Sequence, residues 1–129
     1  MDFIEWKPDY DTGETRIDIQ HRHLVSLINM LHAGAKANMN VSVVGHILDE
    51  LDMYVIVHFT YEEKWMETQN FPEADAHKQQ HLELRKELAR FRSEYQHDPS
   101  LPCVELCEFL QEWLMRHVLE EDAKFKAYV

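Results

Sequence analysis

His77-Lys78-Gln79-Gln80-His81, read together with the upstream stretch His58-Phe59-Thr60-Tyr61-Glu62, decides the fold. Each stretch sets two metal-capable side chains four residues apart, and on an α-helix that spacing stacks them on one face. Two such pairs on facing helices can grip metal from opposite sides. In a chain with nine His one pair by itself says little, because a solvent-facing pair is the ordinary expectation. The phase of the neighbouring apolar residues separates the two readings.

Working outward, the apolar period runs through both stretches. In one helix Val44, Ile47, Leu51, Val55, His58, Glu62 and Trp65 stay in register, and in the next Ala74, His77, His81, Leu84, Leu88 and Phe91 do the same. Steps of three and four mark one buried helical face, so the histidines and Glu62 point inward with the aliphatics. Upstream, Ile17, His21, Leu24, Ile28, Leu31 and Ala35 form a third stripe, expected to end near Asn38-Met39-Asn40. Downstream, Val104, Cys107, Leu110, Leu114 and His117 form a fourth, flanked by Trp113 and Val118. Thr68-Gln69-Asn70-Phe71-Pro72 breaks the pattern, with Pro72 expected in the first turn of the third helix and Glu73 favourable to its N-terminal dipole. His97-Asp98-Pro99-Ser100-Leu101-Pro102 makes the last connection. Four amphipathic helices joined by short loops predict an all-α, antiparallel up-down-up-down four-helix bundle. Residues 1–16, with Pro8 and Gly13 and no sustained period, read as an irregular arm pinned by Trp6 and Tyr10, within one domain spanning 1–129.

Composition bounds the function. A length of 129 residues suits one domain that buries its own core, and 45% hydrophobic residues with only three Gly and four Pro exclude a disordered chain. The formal net charge of −11 argues against nucleic acid and anionic membranes as partners. No basic and apolar leader opens the sequence and no long apolar run follows, so a cytoplasmic protein is expected. Cys103 and Cys107, four apart on one helix, are poorly placed for a mutual disulfide and read as packing residues.

Five inward imidazoles on four helices differ from one. Burying them with the Glu62 carboxylate would cost several kcal/mol unless every polar atom found a partner, and a metal satisfies them together. Asp122, five residues after His117, completes the set. This constellation resembles the hemerythrin family, specifically its single-domain bacterial members. The motifs are Ile17-Asp18-Ile19-Gln20-His21, His58-x3-Glu62, His77-x3-His81 and Trp113-Leu114-x2-His117-x4-Asp122, in order along nearly the whole chain. The resemblance implies a non-haem di-iron centre, with His77, His81 and His117 on one iron, His21 and His58 on the other, and Glu62 and Asp122 bridging. It also implies an O2 pocket lined by Leu24, Phe59, Trp113, Leu114 and Val118, residues that core packing alone would equally explain.

The coordination count supports that picture. Five imidazole nitrogens, four carboxylate oxygens and a shared oxo or hydroxo bridge leave one vertex of two octahedra open, on the two-His iron, for O2. Imidazole and carboxylate suit iron, while ligand type alone leaves zinc and manganese open. The other bundle di-iron class uses four Glu and two Glu-x-x-His motifs, and no Glu-x-x-His in the right phase occurs here. Fewer anionic ligands stabilise highly oxidised iron less, which favours reversible O2 carriage, storage or delivery over oxidative chemistry. An O2 or redox sensor acting through a separate partner is the second reading, and a peroxidase or nitric-oxide-reducing enzyme the third. An enzyme would need an acid or base at the open iron and the expected pocket offers none, so no enzymatic activity is expected. His23, His32, His46 and His97 are expected outside the site.

One spacing conflicts with a regular helix. A five-residue step turns about 140° away from the starting face, so His117 and Asp122 cannot both point inward from an undistorted helix. The fourth helix is therefore expected to end, bend or widen by a π-type turn between Val118 and Asp122, leaving Glu120 and Glu121 in solvent.

Overall fold

The computed structural model describes residues 3–37, 41–100 and 103–129. Four helices carry the apolar stripes: α1 (Thr15–Lys36), α2 (Val41–Thr68), α3 (Ala74–His97) and α4 (Cys103–Arg116). The protein is an all-α four-helix bundle, and no strand occurs among the described residues. α1 packs against α2 and α4, and α2 against α3. Side-chain pairs fix the directions. Gln20 meets His58 while His23 meets Tyr54, so α1 and α2 run antiparallel. Lys78 meets Glu67 while Arg92 meets Asp52, so α2 and α3 do as well. The expected end of the first helix at 38–40, and Leu101-Pro102 of the last connection, lie outside the described residues.

The stripes fall inward as their period requires. Ile17, Leu24, Ile28, Leu31, Val44, Ile47, Leu51, Val55, Leu84, Leu88, Cys107, Leu110 and Leu114 are all buried. Trp65, Ala35, Ala74, Phe91 and Val104, at the ends of the stripes, are only half-buried. Cys103 and Cys107 are free and buried, and burial pushes the Cys107 thiol up to about 12, consistent with packing rather than reactivity.

Pro72 departs from expectation. It sits in the turn before α3, not in its first helical turn. The chain leaves α2 through Asn70 in the left-handed region at φ 54°, and Phe71 N–H returns to Met66 O at 2.9 Å. A tight helix-terminating turn therefore takes up the residues before α3 starts at Ala74. Glu73 makes no side-chain cap there; its carboxylate accepts from Lys124 Nζ at 3.0 Å.

The arm is fastened by a residue the apolar period could not reveal. Asp18, buried on the first turn of α1, accepts from Thr12 N–H at 2.7 Å, Thr12 Oγ1–H at 2.8 Å and Gly13 N–H at 3.0 Å. Gly13 takes φ 95°, a conformation that a side chain would strain. Glu14 caps α1 by accepting from Ile17 N–H at 2.7 Å and reaches α2 by accepting from Tyr61 O–H at 2.9 Å. Asn29 holds both backbone groups of Ile4. Asp18→Ala orphans three donors at once; urea unfolding should show a loss of about 1.5–3 kcal/mol, and limited proteolysis should cut the arm before the bundle.

Candidate metal centre

Each helix delivers its ligand-type side chain from the buried stripe. His21 comes from α1, His58 and Glu62 from α2, and His77 and His81 from α3, each no more than 1% exposed. His117 lies just past α4, where the helix widens into a π-type turn over His117–Glu121, followed by a 3-10 segment, Asp122–Tyr128. The backbone N–H of Asp122 bonds to both His117 O and Val118 O, and the i to i−5 bond to His117 marks the widening. The extra residue turns Asp122 inward to full burial, on the same side as His117. Glu120 is exposed as expected, whereas Glu121 is half-buried and pairs with Lys124 at 3.5 Å.

All seven residues named from the sequence converge. Their donor atoms form two groups able to hold a metal ion, Glu62-His77-His81-His117 and His21-His58-Glu62-Asp122. Glu62 turns Oε1 toward His77, His81 and His117 at 2.6, 3.1 and 3.7 Å, and Oε2 toward His58 and His21 at 2.9 and 3.5 Å. Asp122 divides the same way, with Oδ1 at 2.9 and 3.2 Å from His77 and His117 and Oδ2 at 2.9 Å from His21. Both carboxylates therefore span a three-imidazole side and a two-imidazole side.

Hydrogen bonding accounts only for the approaches of His77 and His81 to Glu62 Oε1. His21 Nε2, Glu62 Oε2 and both Asp122 oxygens are buried with no hydrogen-bond partner among the described residues, although nitrogen and oxygen stand about a bond's length apart. The Nε2 atoms of His81 and His117 approach to 3.2 Å. Adjacent vertices of an octahedron of about 2.1 Å radius lie about 3 Å apart, so donors that share a cation fit these separations.

Three side chains that have no assigned role in the sequence prepare the imidazoles. Gln20 Oε1 lies 2.7 Å from His58 Nδ1, Gln80 Oε1 2.9 Å from His117 Nδ1, and Glu63 Oε2 2.9 Å from His81 Nδ1. These oxygens only accept, so each Nδ1 donates its hydrogen, and the neutral ring presents a bare Nε2 lone pair to the centre. All three residues lie off the apolar stripes, and no periodic signal marks them.

Without a cation the cluster draws protons. Burial opposes a charged His21, yet Asp122 and Glu62 outweigh it and carry its pKa up to about 10; the same balance takes His77 to about 9 and raises His117. Burial dominates at His58 and lowers it against the pull of Glu62. Burial would raise both carboxyls, but the imidazoles hold Glu62 and Asp122 below the usual carboxylate range. The arrangement demands positive charge at its middle.

Aromatic and aliphatic walls close the site. Phe59 stacks on His81 at 3.7 Å and 2°, and Trp113 on His117 at 4.5 Å and 17°. Leu24, Phe59, Leu114 and Val118 are buried in one core cluster against which Trp113 packs. At the other end Ile17, Met66, Phe71 and Phe125 form a second cluster, with Phe125 5.1 Å from His77. The sequence reading did not assign Phe71 or Phe125 to the site. Trp6, 6.0 Å from His21, brings the arm against the two-imidazole side. His23, His46 and His97 are exposed, and His32, half-buried, stacks on Phe3.

Comparison with known proteins agrees with this geometry. The family model described as the hemerythrin HHE cation binding domain matches residues 12–129. A bacteriohemerythrin of Stenotrophomonas maltophilia is 33% identical, over 97% of this chain and 80% of that protein. One from Pseudomonas paraeruginosa is 30% identical over the same shares. A crystal structure of wild-type hemerythrin superposes with TM-score 0.91 at 27% identity, covering 98% of this chain and 97% of that one.

Two outcomes test the centre. His77→Ala should lose bound metal and lower the melting temperature, because metal binding is coupled to folding, whereas His97→Ala should change neither; equal losses would refute the inward placement. Removing metal should loosen the π-type turn before the rest of the bundle. Amides 118–126 should exchange faster in apo protein than in holo, and equal protection would show that metal does not hold that turn.

Proposed function

We infer function from one premise: the chain belongs to the hemerythrin family. It binds O2 reversibly, for carriage, storage or delivery, at a non-haem di-iron centre in the bundle core. His77, His81 and His117 would hold one iron and His21 and His58 the other, with Glu62 and Asp122 offering an oxygen to each side. The observation that carries this reading is the division of both carboxylates between a three-imidazole and a two-imidazole side. The two-imidazole side has fewer protein donors, which leaves room there for a small diatomic ligand. The irons, when bound, supply the electrons that hold O2 reversibly.

The chain's own residues make that binding selective. Five neutral imidazoles and two carboxylates give the centre few anionic donors, which disfavours highly oxidised iron. Leu24, Phe59, Trp113, Leu114 and Val118 wall the O2 pocket with apolar surface, limiting water and bulky reductants. None of these five can give or take a proton as an acid or base, so we assign binding and no enzymatic turnover. Residues 1–129 act as one domain. We place the protein in the cytoplasm, a reading supported by two buried, unpaired thiols and by a net charge of −11, which suits neither nucleic acid nor anionic membrane as a partner.

Protein expressed with ample iron should contain one iron for each of the two donor groups. Its reduced form should gain a visible charge-transfer band in air and lose it when O2 is removed. One metal per chain, zinc retained in preference to iron, or a band that cannot be reversed would overturn the reading. Leu114→Ala should enlarge the pocket and speed decay of the band severalfold. An unchanged decay rate would remove Leu114 from the gating of the site.

A further inference from the structure

The three outer hydrogen bonds that orient the ligand imidazoles are not chemically equal. His58 and His117 donate to the neutral amides of Gln20 and Gln80, whereas His81 donates to the carboxylate of Glu63 at 2.9 Å. A hydrogen bond to an ionised acceptor is roughly twice as strong as a neutral one. Drawing the Nδ1 proton outward raises electron density at Nε2 and makes the ring a more basic donor. Among the described residues, His81 alone receives this push from a carboxylate. Phe59, stacked flat on the His81 ring, keeps the imidazole in the plane that the bond requires.

Glu63 is also partly open to solvent. Its side chain is 32% exposed, while that of the neighbouring Glu62 is 0% exposed. Lys78, paired with Glu67 at 2.8 Å, feels the Glu63 charge across the α2–α3 seam. The negative charge facing His81 is therefore that of one half-buried carboxylate, tempered by one lysine.

We propose that Glu63 is a positioning residue that sets the redox poise of the centre: acting through His81, its carboxylate favours the oxidised metal and lowers the midpoint potential. The proposal rests on the di-iron reading above. If Glu63 served only to orient the ring, an amide in its place would serve as well, as Gln20 and Gln80 do for their own histidines. The carboxylate differs from them in charge, and charge is what the potential registers.

The test is a mediated spectroelectrochemical titration of iron-loaded wild type, Glu63→Gln, Gln80→Glu and Lys78→Gln. Glu63→Gln keeps the hydrogen bond and removes the charge; it should shift the oxidised-to-reduced ratio at fixed potential by roughly tenfold toward reduced, about 59 mV upward for a one-electron couple. Gln80→Glu puts a carboxylate behind His117 and should move the midpoint downward. Lys78→Gln leaves the His81 bond intact and should move it downward by less. Should Glu63→Gln fail to fold, the last two variants decide the matter alone. Midpoints equal to wild type in every variant that holds iron would overturn the proposal and leave the di-iron centre standing. A wild type that takes up no iron would overturn both.

Discussion

Two carboxylates buried completely among five imidazoles are the constraint on which this molecule turns. Glu62 and Asp122 are sealed from bulk solvent and pair with no arginine or lysine among the described residues, and the ionised form of a buried carboxylate is expensive unless a cation faces it. Everything near them serves that need. The imidazoles approach from four helices, and burial and charge set His21 and His58 in opposite directions because His21 meets both carboxylates directly whereas His58 pairs with Glu62 alone and is opposed by His21. An aliphatic core of the same volume would hold four helices without any of this. The bundle is thus built around a demand for positive charge at its centre, and the free energy of meeting it is part of the folding free energy.

That demand also explains which features the sequence reveals. The stripes of α1 to α4 are legible because burial imposes a period, and a histidine in phase with Leu24 and Ile28 or with Leu84 and Leu88 inherits their direction. The two i,i+4 pairs are legible for the same reason. Asp122 breaks the period and is legible only through motif spacing, which resembles a known family, and through the conflict that spacing creates with helical geometry. Pro72 lies in the turn and not in the expected first helical turn because a proline fits both, and the left-handed Asn70 that decides between them carries no separate signal.

The remaining residues are invisible to pattern for a physical reason. Gln20, Glu63 and Gln80 each sit next to a ligand in the chain and point along a different radius, so period analysis counts them as surface. Their task depends on the imidazole that faces them from another helix: Gln20 of α1 orients His58 of α2, Glu63 of α2 orients His81 of α3, and Gln80 of α3 orients His117 beyond α4. In each case the helix before the ligand supplies its orientation. A ligand set chosen from one sequence stripe at a time shows the atoms that touch metal and misses the oxygens that choose their tautomer.

The C-terminal segment shows how one backbone irregularity does several jobs. The widening at His117–Glu121 brings Asp122 to the face it could not reach from a regular helix, and the chain then tightens into a 3-10 segment. In that geometry residues three apart eclipse one another. Asp122, Phe125 and Tyr128 therefore share a face: Asp122 sits between the two imidazole groups, Phe125 packs on His77, and Tyr128 meets Phe71 edge-on at 5.2 Å. The same turn that delivers a carboxylate also seals the site below it with a fully buried ring. Phe125 packs on Phe71 and His77 from the turn that follows Asp122, so an outward swing of Asp122 would pull on the ring that closes this end of the bundle.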